Sequence, residues 1–107
     1  MEWVIKYFNN DVEESILALP DGLLARYLRL TDMMIEFGPN LGMPHTRPMD
    51  DGLFELRIKS KEGIARVFYG TVIRGEIIML HGFVKKSKKT PPKELAIARR
   101  RLKEVQS

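Results

Sequence analysis

Residues 53–84 read LFELRIKSKEGIARVFYGTVIRGEIIMLHGFV, and the fold turns on this stretch. Aromatic and β-branched residues fill three runs, Leu53 to Lys59, Ile64 to Ile73 and Glu76 to Val84, separated by Gly63 and by the pair Arg74-Gly75. Runs of this kind parted by short glycine turns predict three strands joined as an antiparallel meander. In the first strand Phe54, Leu56 and Ile58 fall on one side and Glu55, Arg57 and Lys59 on the other, so one face packs and the opposite face is charged. Ile77-Ile78-Met79-Leu80 is apolar on both faces, which predicts a central strand.

Upstream, Trp3, Ile5 and Tyr7 alternate with Val4, Lys6 and Phe8 as an opening strand. Asn10 and Asp11 then offer N-cap oxygens to a short helix that Pro20 ends. After Pro20-Asp21-Gly22, Leu23, Leu24, Tyr27, Leu28, Met34 and Ile35 recur with helical period until Gly38-Pro39. Gly38 to Gly52 holds Pro39, Pro44 and Pro48 among its glycines and predicts an irregular loop, a length often tied to function. Downstream, Thr90 caps a last helix with Pro91 where its missing N–H does no harm, and Leu95, Ala98, Leu102 and Val105 form its apolar stripe. The expected architecture is α+β: an N-terminal strand, two helices, a three-stranded antiparallel meander and a C-terminal helix.

With 107 residues, 44% of them apolar, the chain closes one core, so residues 1–107 are expected to form a single domain. It has no cysteine, which removes disulfides, thiolate metal sites and cysteine nucleophiles and fits a reducing, cytoplasmic home. The start Met-Glu-Trp-Val-Ile-Lys-Tyr lacks a secretory h-region, and no apolar run approaches the roughly 20 residues of a membrane span. Residues 84–107 carry nine Lys/Arg against two acids, while residues 1–83 carry nine against twelve, so the net charge of +4 divides into +7 and −3. Charge so concentrated attracts a polyanion, with RNA the leading partner, although a merely solvated helix face would share the composition.

Arg57 and Arg66 lie on neighbouring predicted strands and Lys85 just beyond the next, which gathers three cations at one edge of the sheet. Arginine stays charged and bonds two phosphate oxygens at once, so this trio suits phosphate; the plain alternative for Arg57 is a surface ion pair with Glu55. Lys86, Lys88 and Lys89 crowd the gap between that strand and the last helix, where backbone N–H groups also favour anions. The two histidines, His45 in the proline-rich loop and His81 in an apolar strand, are of the side-chain type most often used for proton transfer. Their separation lacks any metal-ligand spacing, and no phosphate-binding glycine loop, nucleophile elbow or paired-carboxylate pattern occurs.

Gly52-Leu53-Phe54-Glu55-Leu56-Arg57, Ala65-Arg66-Val67-Phe68-Tyr69, His81-Gly82-Phe83-Val84-Lys85-Lys86 and Lys89-Thr90-Pro91 together resemble the RelE/HigB-like toxins of type II toxin–antitoxin modules, in the phage Gp49-like branch. The resemblance implies a RelE-like, microbial ribonuclease-like fold and cofactor-free, metal-independent cleavage of mRNA on the ribosome, checked by a cognate antitoxin, often one with a helix-turn-helix domain. There the RNA 2′-OH is the nucleophile, and protein groups take its proton, hold the phosphate and protonate the leaving oxygen. By position Arg57, Arg66 and Lys85 hold the phosphate, while Arg99, Arg100, Arg101 and Lys103 steady the RNA backbone. RelE carries two lysines on the strand that here bears Glu55 and Arg57, and a C-terminal tyrosine where this chain has none after Tyr69. Glu55, His81 and Tyr69 therefore stand as the candidate acid and base. Two other readings remain: a ParE-like gyrase inhibitor without nuclease activity, and a basic RNA-binding phage accessory protein.

Overall fold

The expected meander is present as β3 (Leu53–Ser60), β4 (Gly63–Gly70) and β5 (Glu76–Lys85) in the computed structural model, which describes residues 2–107. Before them come β1 (Val4–Tyr7), α1 (Asn10–Leu17), α2 (Asp21–Phe37) and β2 (Thr46–Pro48); α3 (Pro92–Gln106) follows. The five strands form one sheet in the order β1-β5-β4-β3-β2, antiparallel except where β1 runs parallel to β5. The apolar run Ile77 to Leu80 is accordingly interior, flanked by β1 and β4.

Three expectations are corrected. The segment Gly38 to Gly52 is not wholly irregular, because Thr46–Pro48 pairs with β3 as a fifth strand. Pro48 is harmless there, since an edge strand leaves one row of N–H positions unpaired. The second meander strand stops at Gly70 rather than Ile73: Gly70 faces Leu53, the first residue of β3, and beyond it β3 offers no partner. A Cβ on Gly70 would come within 2.7 Å of Leu102 Cδ1 and 3.3 Å of the Gly52 carbonyl, so helix and strand meet closely there and any side chain would force Leu102 to shift. The caps also move. Asn9, with extended backbone, caps α1 by accepting from the Val12 N–H at 2.9 Å, and α3 begins after Pro91 without a side-chain cap.

Helices cover both faces of the sheet. On one face α1 and α2 bury Ile16, Leu23, Tyr27, Leu30 and Met34 against Leu56, Ile58, Val67 and Met79. On the other, Ala98 and Leu102 of α3 pack on Leu53, Phe68 and Leu80. A register shift between Phe68 and Tyr69 breaks the alternation of β5, and both Leu80 and His81 reach the α3 side. Helix α3 covers only one end of its face. The other end carries Arg57, directly opposite Arg66, with Lys85 opposite Ile64. No helix among the described residues is long and apolar enough to cross a membrane.

Candidate functional site: a cation cluster around a buried carboxylate

Glu55 stands on the charged side of β3, yet it is fully buried. A carboxylate leaves water only when it is paired and hydrogen-bonded. Its Oε1 lies 3.3 Å from Arg57 Nη1 and 3.6 Å from Arg47 Nε, and its Oε2 lies 3.6 Å from Arg66 Nε. The Thr90 hydroxyl, expected to cap α3, donates instead to Glu55 Oε2 at 3.4 Å. The register explains the gathering: Arg47 of β2 pairs with Glu55, and Arg57 of β3 pairs with Arg66 of β4. Like charges directly opposite on adjacent strands repel. The single carboxylate between them offsets that repulsion and fixes three guanidinium groups around one point.

The balance remains positive. Lys85 adds a fourth cation, and its ammonium is held below the usual lysine range, first by partial burial, then by Arg66, with Glu55 pulling the other way and Arg57 and Arg47 adding to the depression. Burial likewise lowers the Arg66 pKa, more than Glu55 restores it, with Arg57 and Arg47 opposing its charge too; the guanidinium stays protonated. Arg66 Nη1 donates to the Ala65 carbonyl at 3.2 Å. Its Nε is the buried side-chain atom that has no hydrogen-bond partner among the described residues. At 3.6 Å the Glu55 oxygen attracts it as a charge but is too far to accept a hydrogen bond. Cations that outnumber their carboxylate at the wall of a cleft suit an incoming anion.

Two clefts meet on this cluster and share Arg57, Ile64 and Arg66. One, of about 450 Å³, continues along Lys85, Lys86, Ser87 and Lys88. The other, of about 630 Å³, continues toward Arg26, Pro44, His45 and Lys59. Lys86, Lys88 and Lys89 are exposed and have no ion-pair partner among the described residues.

The remaining sequence candidates sit elsewhere. His81 Nε2 is 2.9 Å from Glu94 Oε2 of α3, and its ring stacks on Phe83, so it links strand to helix. Tyr69 is buried on the opposite face, where its hydroxyl donates to the Pro39 carbonyl and burial pushes its pKa far up. Arg99 and Arg101 do not project as free cations. Arg99 Nη2 donates to the Met49 carbonyl at 2.8 Å, and Arg101 Nη1 donates to the Leu80 carbonyl at 2.7 Å while lying 5.2 Å from the centre of the Phe8 ring. Arg100 and Lys103 are exposed. The sequence reading missed Arg47 and Thr90, whose only mark is their approach to Glu55 in three dimensions.

A family model described as phage derived protein Gp49-like matches residues 14–103. No curated protein sequence matches the chain. Among solved structures, the RelE–RelB complex of the archaeon Pyrococcus horikoshii OT3 aligns with TM-score 0.57 and 20% identity, covering 80% of this chain and 98% of that one. The E. coli toxin RelE in its free state, with two arginines replaced by alanine, aligns with TM-score 0.60 and 13% identity, over 95% of this chain and 99% of that one. What these two share with the chain is architecture, the RelE-like fold.

Proposed function

The chain belongs to the phage-derived Gp49-like family, and on that premise we propose that it is the toxin of a type II toxin–antitoxin module, an endoribonuclease that cuts ribosome-bound mRNA. The observation that carries this reading is the gathering of Arg47, Arg57 and Arg66 around one buried carboxylate, with Lys85 as a further cation on the next strand. A phosphodiester placed there meets donors fixed before it arrives. As the deprotonating 2′-OH attacks phosphorus, the bond to the 5′ oxygen breaks, that oxygen takes up a proton and a 2′,3′-cyclic phosphate is left; charge builds on the phosphoryl oxygens on the way, and those donors bond the transition state more strongly than the substrate. The substrate supplies its own nucleophile, so the chemistry asks the protein for phosphate stabilisation and proton transfer alone. Arg57, Arg66 and Lys85 hold the phosphate. Glu55, with both oxygens facing arginines, positions them and is not the base. Lys86, Lys88, Lys89 and Arg100 attract the RNA backbone.

The partner on this reading is a cognate antitoxin with a helix-turn-helix domain, which screens the basic face. Induced expression should arrest growth in the cytoplasm with cuts mapped inside translated messages, and co-expression of the antitoxin should relieve it. Arrest without mRNA cuts, accompanied by loss of gyrase supercoiling, would replace the nuclease by a ParE-like gyrase inhibitor.

A further inference from the structure

The cleft toward Arg26 has a character distinct from the phosphate cluster it touches. Arg26 and Lys59 contribute cations from α2 and β3, and neither has a carboxylate within ion-pair distance among the described residues. Pro44 and Ile64 give it apolar wall, and the partly buried His45 gives it an aromatic ring. No acidic side chain lines it. His45 is held beside the cluster by the backbone, because its carbonyl accepts from the Arg57 N–H at 2.8 Å. The volume of about 630 Å³ falls within the range of small-ligand sites. An apolar wall and an imidazole ring suit the face and edge of a nucleobase, and the cations at its margin suit a phosphate. The lysine cleft on the far side of Arg57 and Arg66 offers exposed Lys86 and Lys88 and suits backbone alone.

We propose that the Arg26–Pro44–His45–Lys59–Ile64 cleft is a nucleotide-binding subsite that takes one nucleoside monophosphate unit of the RNA, with its phosphate on Arg57 and Arg66 and its base against His45 and Ile64. The proposal rests on the endoribonuclease reading for its biological meaning but not for its chemistry. The RNA then crosses the end of the sheet from this cleft, over the arginine pair, to Lys86 and Lys88, and base preference is set on the His45 side.

The test is a titration of the full-length, isotope-labelled protein with adenosine 3′-monophosphate, adenosine 5′-monophosphate and inorganic phosphate, followed by amide shifts. The nucleotides should move the amides of Arg26, His45 and Ile64, whereas phosphate should move those around Arg57, Arg66 and Lys85 only. His45→Ala and Arg26→Ala should each weaken nucleotide binding by about tenfold, near 1.4 kcal/mol, and His45→Ala should leave phosphate binding as it was. Identical shift patterns and affinities for nucleotide and phosphate, or alanine variants that bind the nucleotides as the wild type does, would overturn the subsite. Cleavage of ribosome-bound mRNA is measured on the same preparations. Nucleotide shifts in the cleft without cleavage sink the nuclease and keep the subsite, and cleavage with a silent cleft does the reverse.

Discussion

At the scale of single residues, Glu55 organises everything near it. A buried carboxylate among three arginines lowers the cost of holding Arg57 and Arg66 face to face across two strands. Glu55→Gln keeps the shape and removes the charge, and loss of one partner from a buried pair costs about 3–5 kcal/mol. The variant should therefore melt well below the wild type, and sulfate should restore much of the loss by supplying the missing anion; a melt unchanged by the substitution and indifferent to sulfate would show that Glu55 is not the organiser. Lys85 makes a prediction in pH. Its folded pKa lies below the ordinary 10.5, so the unfolded chain holds the extra proton between the two values, and stability rises with pH across that window. Phosphate affinity moves oppositely, since it needs the ammonium, and should fall at a lower pH than an ordinary lysine would give. Lys85→Arg, charged throughout, should abolish that alkaline loss in a binding titration.

At the scale of elements, the cationic helix α3 is divided between docking and display. Arg101 is anchored on the Leu80 carbonyl and the Phe8 ring, while Arg100 faces solvent. A hydrogen bond from a charged donor contributes about 1.5–3 kcal/mol. Arg101→Ala should lower the unfolding free energy by about that amount in a denaturant titration, and Arg100→Ala should leave it within about 0.5 kcal/mol while weakening RNA binding. Equal effects from both would erase the distinction. Period-two and period-3.6 patterns made the meander and the long helix legible, because those periods follow from burial on one face. They say nothing about which carbonyl a polar helix residue meets, so Arg99, Arg100 and Arg101 looked alike in sequence. Strand β2 was hidden for a related reason: three residues that end in Pro48 show no period, and only pairing with β3 makes them a strand. Hidden with it was Arg47, whose place at the site depends on that pairing.

At the scale of the whole molecule, the charge asymmetry of the sequence resolves into a path and a seat. The exposed lysines after β5 lead along one cleft to Arg57 and Arg66, which the negatively charged first part of the chain supplies from its own strands. The trio Arg57, Arg66 and Lys85 was legible because strand order alone brings it together, and Glu55 was named beside it as an ion-pair partner or as an acid or base; its burial among three arginines was not legible, since alternation placed it on a charged face. If an antitoxin screens this basic face, the complex should dissociate more readily as salt rises, and dissociation indifferent to salt between about 50 and 500 mM would remove charge from the account. The most direct test of the central claim is single-turnover cleavage of a ribosome-bound message by the wild type and by Arg57→Ala, with thermal melts beside them. Cleavage by the wild type that falls by a factor of about 100 or more in a still-folded Arg57→Ala protein is the predicted result, on the scale that loss of one transition-state donor produces. An Arg57→Ala protein that cuts the message at the wild-type rate would contradict it.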